Sequence, residues 1–143
     1  MNDFVKSAES SPKGYAAAEA AGLRWLAEPQ AVPVVAVIEE EKDSLRLTRL
    51  ESVPPTAEAA RELGRGLARL HDAGAPDFGW APADPAFFGP LESPFPVETA
   101  PHAEFVDYWA EDRLRPLADS VTRVLGAEGH DTVDEAIDVI ADG

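Results

Sequence analysis

The most constraining feature of this sequence is a carboxylate on the apolar face of a predicted helix. Residues 15–28 are rich in helix formers. A period of 3.6 residues places Glu19 on one face with Tyr15, Gly22, Leu23 and Leu26. A carboxylate there is costly unless a cation meets it, and the upstream cation with a predicted strand behind it is Lys6, at the end of residues 4–6. On these two residues alone, a structural ion pair or no contact at all is the better interpretation.

Length and composition suit one domain or two small lobes with a buried core. The chain has 143 residues, an apolar content of 45%, no cysteine and a formal charge of −15 at pH 7. Without cysteine, disulfides and thiolate metal sites are excluded, and the acidic balance argues against a nucleic-acid partner. No apolar stretch approaches the roughly 20 residues of a membrane helix, and the N-terminus lacks a signal-peptide pattern. We therefore expect a cytoplasmic protein with no membrane segment.

The residue pattern in the first half of the chain predicts two more strands after the helix. Residues 32–38 are short, apolar and β-branched, which is typical of a buried strand. Residues 44–50 follow a charged turn and alternate in polarity, which predicts an antiparallel partner. The order is therefore strand, helix, strand, strand.

Helices dominate the predictions for the second half. Thr56 is a predicted N-cap for a helix that runs to residue 73 and stops at Gly74. Gly64 and Gly66 inside this helix suggest close packing against another element. Residues 75–101 are rich in proline, glycine and aromatics, and we expect an ordered loop without regular structure.

Two further helices are predicted at the carboxyl end. The first covers residues 102–125 and should be kinked or divided at Pro116. The second covers residues 133–141, where Thr132 and Glu135 form a capping-box pattern.

The residue pattern does not support a metal site or a catalytic residue. The three histidines lie far apart on different predicted elements, with no spacing typical of a metal site: His71, His102 and His130. A solvated helix face explains the acidic cluster at residues 107–112 better than a metal site does. We therefore predict no metal ligand and no catalytic residue in this chain.

Four parts of the sequence carry motifs that point to one family. They are FVK at residues 4–6, AEAAGLRWL at 18–26, ELGRGLARLH at 62–71, and FGW, FFGPL and YWAEDRLRPL between 78 and 117. Together they resemble the fructosamine kinase (ketosamine kinase) family, a branch of the kinase-like small-molecule phosphotransferases. LARLH is shared widely in that branch, whereas FGW followed by FFGPL and RLRPL is more specific to fructosamine kinases.

The resemblance implies an α+β, protein-kinase-like fold. Residues 1–53 would form a partial N-terminal lobe, a three-stranded antiparallel sheet plus a helix, and residues 54–143 would form the first helices of the helical lobe. In such folds a helix glutamate orients a strand lysine toward the α and β phosphates of ATP, and Glu19 and Lys6 match that pair. The hinge, whose backbone groups hydrogen-bond the adenine, is matched by Leu47, Thr48, Arg49 and Leu50.

The resemblance also implies an activity, which is ATP-dependent phosphorylation of a sugar-amine adduct on the sugar 3-hydroxyl, with Mg²⁺. The implied partners are ATP and a glycated amine. The family's catalytic His-Gly-Asp loop and metal-binding Asp-Pro would lie beyond residue 143, so we expect the chain alone to be inactive and to lack metal ligands. The alternative is a non-catalytic remnant or regulatory module that binds a nucleotide weakly or a protein partner. Self-association through an exposed strand edge and apolar helix faces is also expected.

Overall fold

A computed structural model describes residues 3–142 of the chain, and these fall into two compact units. The first unit contains the described residues up to Gly74 together with Ala81–Pro96. The second contains Ala75–Trp80 and the described residues from Val97 onward. These units divide the chain at other positions than the two predicted lobes, and the lobe boundary between residues 53 and 54 stays a prediction.

The first unit is built on a three-stranded antiparallel sheet. Its strands are β1 (Asp3–Ser7), β2 (Val37–Glu40) and β3 (Ser44–Thr48), in the order β1-β3-β2. The central strand alternates, so that Leu45 and Leu47 are both buried on one face. The predicted α+β fold with this sheet is therefore confirmed.

The strand expected over residues 32–38 is displaced toward the carboxyl end. Pairing begins only at Val37 and continues through Glu40. Pro33 has no N–H to give to a ladder, which disfavours earlier pairing. Ala31 and Val32 instead pack against a helix, as described below.

Helix α1 (Tyr15–Ala27) packs on the sheet through small side chains. Ala16 and Ala20 are buried and join a cluster with Leu45 and Leu47, with Tyr15 and Leu23 partly buried beside them. The predicted helix is confirmed, but its most buried face is centred on alanines rather than on Gly22 and Leu26. Alanine allows the helix backbone to approach the strands closely.

Helix α2 (Ala57–Ala73) begins and ends where the sequence predicts. The Thr56 hydroxyl accepts a hydrogen bond from the Ala59 N–H at 3.1 Å, and the helix stops at Gly74. Most of the helix surface is exposed, and Gly66 is its buried residue.

The two glycines of α2 behave differently. A Cβ at Gly66 would lie 2.5 Å from Val32 Cγ1 and 3.0 Å from the Ala31 carbonyl oxygen. A Cβ at Gly64 would meet no atom within 4 Å. Close packing is therefore confirmed at Gly66 and wrong at Gly64.

The segment predicted to lack regular structure contains a short hairpin. Strands β4 (Ala86–Phe88) and β5 (Phe95–Val97) form a separate two-stranded sheet. The Phe88 and Phe95 rings meet edge to face with centroids 6.4 Å apart. Three-residue strands are too short to show an alternating pattern, so periodicity could not predict them.

The second unit is helical but irregular. Helix α3 (Phe105–Asp107) continues into a π-helix (Tyr108–Leu114), which is followed by α4 (Arg115–Ser120) and α5 (Thr122–Asp142). The kinked or divided helix expected over residues 102–125 begins only at Phe105. It changes from π to α geometry at Arg115, next to Pro116, and is interrupted again at Val121. In a regular α-helix the Pro116 ring would press on the carbonyl of Asp112, and a wider π turn before it avoids that clash.

The capping box expected at Thr132 is also wrong. Thr132 lies inside α5, where its hydroxyl donates to the Glu128 carbonyl at 2.9 Å. The break in this helix lies at Gly126, whose φ of 70° is unfavourable for other residues. The buried residues of this unit are Ala110, Ala118 and Ile137.

No helix within residues 3–142 has both the length and the apolar character that a membrane span requires.

Candidate functional site

The predicted ion pair between Lys6 and Glu19 forms in the first unit. The Lys6 ammonium lies 2.8 Å and 2.6 Å from the two carboxylate oxygens of Glu19. Lys6 belongs to β1, opposite Leu45 of the central strand. Because α1 rests on the sheet through Ala16 and Ala20, Glu19 is held beside the strands.

The surroundings keep the Lys6 ammonium charged. Partial burial disfavours the charged form, but the hydrogen bonds and charge of Glu19, with a smaller contribution from Tyr15, raise the pKa of Lys6 above its ordinary value of 10.5. The side chains remain 25% and 24% exposed for Lys6 and Glu19. The ammonium is therefore cationic at neutral pH and within reach of a dissolved anion.

Tyr15 is a third member of this site that the sequence reasoning did not include. Its ring centroid lies 5.5 Å from the Lys6 ammonium and 5.6 Å from the centroid of the Phe87 ring. Its position four residues before Glu19 was the available signal, since such residues share one helix face.

The geometry of the pair suits an anionic oxygen. An ammonium group has three N–H donors, and both Glu19 oxygens belong to one carboxylate on one side of it. The other sides of the ammonium and the partly exposed side chain are compatible with one phosphate oxygen. The residues present therefore fit the phosphate group of a nucleotide.

The four predicted hinge residues lie at the carboxyl end of β3 and just beyond it. Leu47 is paired on both sides, with Phe4 and Val37. The Thr48 N–H donates to the Ala36 carbonyl at 3.0 Å. Arg49 and Leu50 follow the strand, and the Arg49 guanidinium lies 6.0 Å from the Phe4 ring centroid. The backbone of Leu47 and the Thr48 N–H are engaged within the protein, and the role of all four in adenine binding stays a prediction.

The described residues do not fit a magnesium site. No group of three histidine or acidic side chains within residues 3–142 is arranged to hold a metal ion. No chemical step is therefore assigned to a metal bound by these residues.

Among the cavities of the described part of the first unit, a larger and a smaller one bear on the site, and neither Lys6 nor Glu19 lines the larger. It measures about 570 Å³ and lies at the carboxyl ends of α1 and α2, where Trp25, Leu26 and His71 help to line it. The smaller cavity, of about 230 Å³, is lined in part by Tyr15, Glu19 and Phe87. Because Glu19 lines it, the smaller cavity is the one that adjoins the ion pair.

Comparison with known proteins agrees with the motifs. A family model described as fructosamine kinase matches residues 2–141. A crystal structure described as a candidate fructosamine-3-kinase from Thermobifida fusca is 30% identical in sequence, with a TM-score of 0.79. The match covers 96% of this chain and 48% of that one, so the chain spans about half the length of the matched protein. No curated protein matches the chain.

Proposed function

The chain belongs to the fructosamine kinase family, and on that premise we propose that it contributes the phosphate-binding lysine of an ATP-dependent kinase for sugar-amine adducts. The observation that carries the proposal is the two-point contact between Lys6 and Glu19. A strand lysine oriented by a helix glutamate is the arrangement with which kinase-like folds hold the nucleotide phosphates.

In this proposal the two residues have distinct roles. Lys6 contacts the α and β phosphates, and Glu19 restricts the lysine to the conformation that reaches them. ATP, when bound, supplies the phosphoryl group. Because catalysis in this reaction class is mostly positioning and charge stabilisation, a fixed ammonium stabilises the charge on the phosphates more effectively than a mobile one.

The rest of the proposal concerns adenine, the glycated amine and Mg²⁺, and it follows from the family and from position in the chain. The backbone of Arg49 and Leu50, beyond β3, is the part of the predicted hinge that stands outside the strand ladder. Use of a glycated amine and Mg²⁺ is supported by the family alone. A cytoplasmic location, the lack of a nucleic-acid partner and self-association stay predictions from the sequence.

Nucleotide binding by the 143-residue protein tests the proposal. Calorimetric titration with Mg-ATP should show that Lys6→Met raises the dissociation constant by about 10- to 100-fold, since a hydrogen bond to a charged group contributes about 1.5–3 kcal/mol. Glu19→Gln should weaken it less. Lys42→Met is the matched control, because Lys42 lies in the turn after β2 with a side chain that is 80% exposed. Equal affinities for Lys6→Met and Lys42→Met would contradict the proposal.

The same samples test the prediction that the isolated chain has no turnover. We expect no transfer of phosphate from Mg-ATP to a glycated lysine peptide. Phosphorylation that is abolished by Lys6→Met would show that prediction to be wrong while supporting the role of Lys6. Absence of both binding and transfer would favour the alternative of a module that binds a protein partner.

A further inference from the structure

The FFGPL segment contacts the amino end of α1 at two points. The Phe87 ring packs on the Tyr15 ring with centroids 5.6 Å apart. The Ser11 hydroxyl donates to the Leu91 carbonyl at 3.0 Å. Ser11 lies in the turn before α1 and Tyr15 is its first residue, so both contacts fall where the helix begins.

The start of α1 is held locally by backbone hydrogen bonds, such as that from the Tyr15 N–H to the Pro12 carbonyl at 3.1 Å. Its N-cap is Gly14, which has no side chain to accept a hydrogen bond from the first turn, and the structure describes no side-chain cap there. A helix without a cap frays more easily at that end. Contacts from elsewhere in the chain therefore matter more to the position of this first turn.

The ring pair is one contact on this side of the helix. The cavity of about 230 Å³ lies between α1 and residues 81–87. Apart from Tyr15, Glu19 and Phe87, the lining residues are small or proline: Ala18, Gly22, Ala81, Pro82, Ala83 and Ala86. The Tyr15 and Phe87 rings are therefore the large apolar side chains that line it.

Tyr15 also connects this contact to the ion pair. Its ring lies 5.5 Å from the Lys6 ammonium, and Glu19 lies one helical turn further along. Ala16 and Ala20 hold the helix on the sheet, and the rings hold its first turn, so a displacement of that turn would move Tyr15 and shift the start of the helix that carries Glu19. The 2.6 Å and 2.8 Å contacts of Glu19 would then lengthen.

We infer that Ser11, Tyr15, Phe87 and Leu91 form a brace that holds Glu19 against Lys6. Tyr15 and Phe87 are then positioning residues for the nucleotide site, acting through the ion pair. This inference rests on the proposed function for its consequence in nucleotide binding, but the effect on Lys6 exists without nucleotide. It assigns the FFGPL motif a role in presenting the lysine.

The test is the chemical reactivity of Lys6 in the protein without nucleotide. Amine-selective reagents react with the unprotonated amine, so the rate at a fixed, mildly alkaline pH rises when a lysine loses its carboxylate partner. The chain has three lysines, and peptide mapping by mass spectrometry separates Lys6 from Lys13 and Lys42, which serve as internal references. Glu19→Gln gives the rate for complete loss of the pair.

We expect Phe87→Leu and Tyr15→Leu to raise the Lys6 rate several-fold, toward the Glu19→Gln value. Tyr15→Phe keeps the ring but removes the hydroxyl that helps to raise the pKa of Lys6, so it should give a smaller rise than Tyr15→Leu. Phe88→Leu is the matched control, because consecutive strand side chains point to opposite faces and Phe88 packs on Phe95. Ser11→Ala removes one hydrogen bond without touching the rings, and it should give a smaller rise. That variant keeps the test decisive where an aromatic variant fails to fold.

The outcomes separate the two proposals. An unchanged Lys6 rate in Ser11→Ala and in the folded aromatic variants would overturn the brace, whatever the protein does with ATP. Raised Lys6 rates in these variants, together with a wild-type protein that does not bind Mg-ATP, would support the brace and refute the proposed function. When both proposals are correct, Phe87→Leu also weakens Mg-ATP binding several-fold and Phe88→Leu does not.

Discussion

The two compact units bury their apolar side chains in different ways. In the first, a helix lies on a sheet, and the alternating Leu45 and Leu47 meet the alanines of α1. In the second, the buried set is Ala110, Ala118 and Ile137, while Trp109 on the π-helix remains exposed. A strand fixes which side chains face inward through its period of two, whereas a helix whose register changes does not keep one inward face.

The Lys6 and Glu19 pair of the first unit and the Arg115 cluster of the second differ in exposure. The pair is partly buried beside its core. Three carboxylates surround Arg115, at 3.0 Å, 3.3 Å and 2.6 Å for Glu111, Asp134 and Asp138, and they are more exposed than Glu19. Exposed ion pairs are weak and screened by salt, so the Arg115 cluster should respond more to ionic strength than the Lys6 pair does.

The largest effect we expect is in the core of the first unit. Leu45 is 1% exposed, and Leu45→Ala should lower the free energy of unfolding by about 2–5 kcal/mol because it leaves a cavity. Leu50→Ala, at a position that is 74% exposed, is the control and should have little effect. Urea denaturation, monitored by hydrogen exchange in each unit, measures the free energy of unfolding of both variants. Similar costs for the two variants would contradict the assignment of the core.

The two glycines of α2 test how far tight packing extends in the first unit. Gly66→Ala should destabilise by about 1–3 kcal/mol, because the methyl group would overlap with Val32 and the Ala31 carbonyl. Gly64→Ala should stabilise by up to about 1 kcal/mol, because alanine is the better helix former and the site is open. Thermal denaturation of the matched pair should show opposite signs. Two shifts of the same sign would refute the contact at Gly66.

Arg115→Met tests the ion pairs of the second unit. The three carboxylates would lose their shared cation and repel one another, so amides of the second unit should exchange faster. The effect should shrink as salt is added, since screening weakens both the lost attraction and the new repulsion. Arg123→Met, another arginine of this unit, is the control. An effect of Arg115→Met that does not depend on salt would point to packing of its alkyl chain instead.

The smallest effect should be a pH dependence centred on His130 in α5. Its hydrogen bond to Asp119 of α4, together with the charges of Asp134, Asp119 and Asp131, raises the pKa of His130 above 6.5. The folded state then binds the proton more tightly than the unfolded state. This stabilisation is complete below about pH 6.5 and is lost as the pH rises through the higher folded pKa.

Denaturation of the second unit at several pH values measures the His130 effect, with His130→Gln as the comparison. The wild-type midpoint should fall between slightly acidic and slightly alkaline pH, and the variant should lose that slope. A midpoint that rises with pH over this window would contradict a raised pKa of His130 in the folded state.

Local sequence patterns and the family resemblance were sufficient for most elements of the first unit and for the centre of its site. The helix period placed Glu19 where a carboxylate needs a cation, the resemblance paired it with Lys6, and the contact is present. The sequence also predicted the N-cap of α2 at Thr56 and the end of that helix at Gly74. Each of these depends on residues within one or two turns or on adjacent elements.

The sequence alone could not show the brace or the register of the second unit. Ser11 and Leu91 are 80 residues apart, and nothing in either motif predicts that they meet. The π turns before Pro116 and the break at Gly126 rotate the helix faces, so one uniform helical period does not describe which side chains of this unit are buried.

Sequence by itself determined where most elements of the first half begin and end, which charges are available, and the family to which the chain belongs. Tertiary structure decided which alanines form the core of α1, which glycine of α2 is packed, and which aromatic ring supports the lysine. The physical reason is that propensity and periodicity act over a few residues, whereas burial is set by the surface that each element meets.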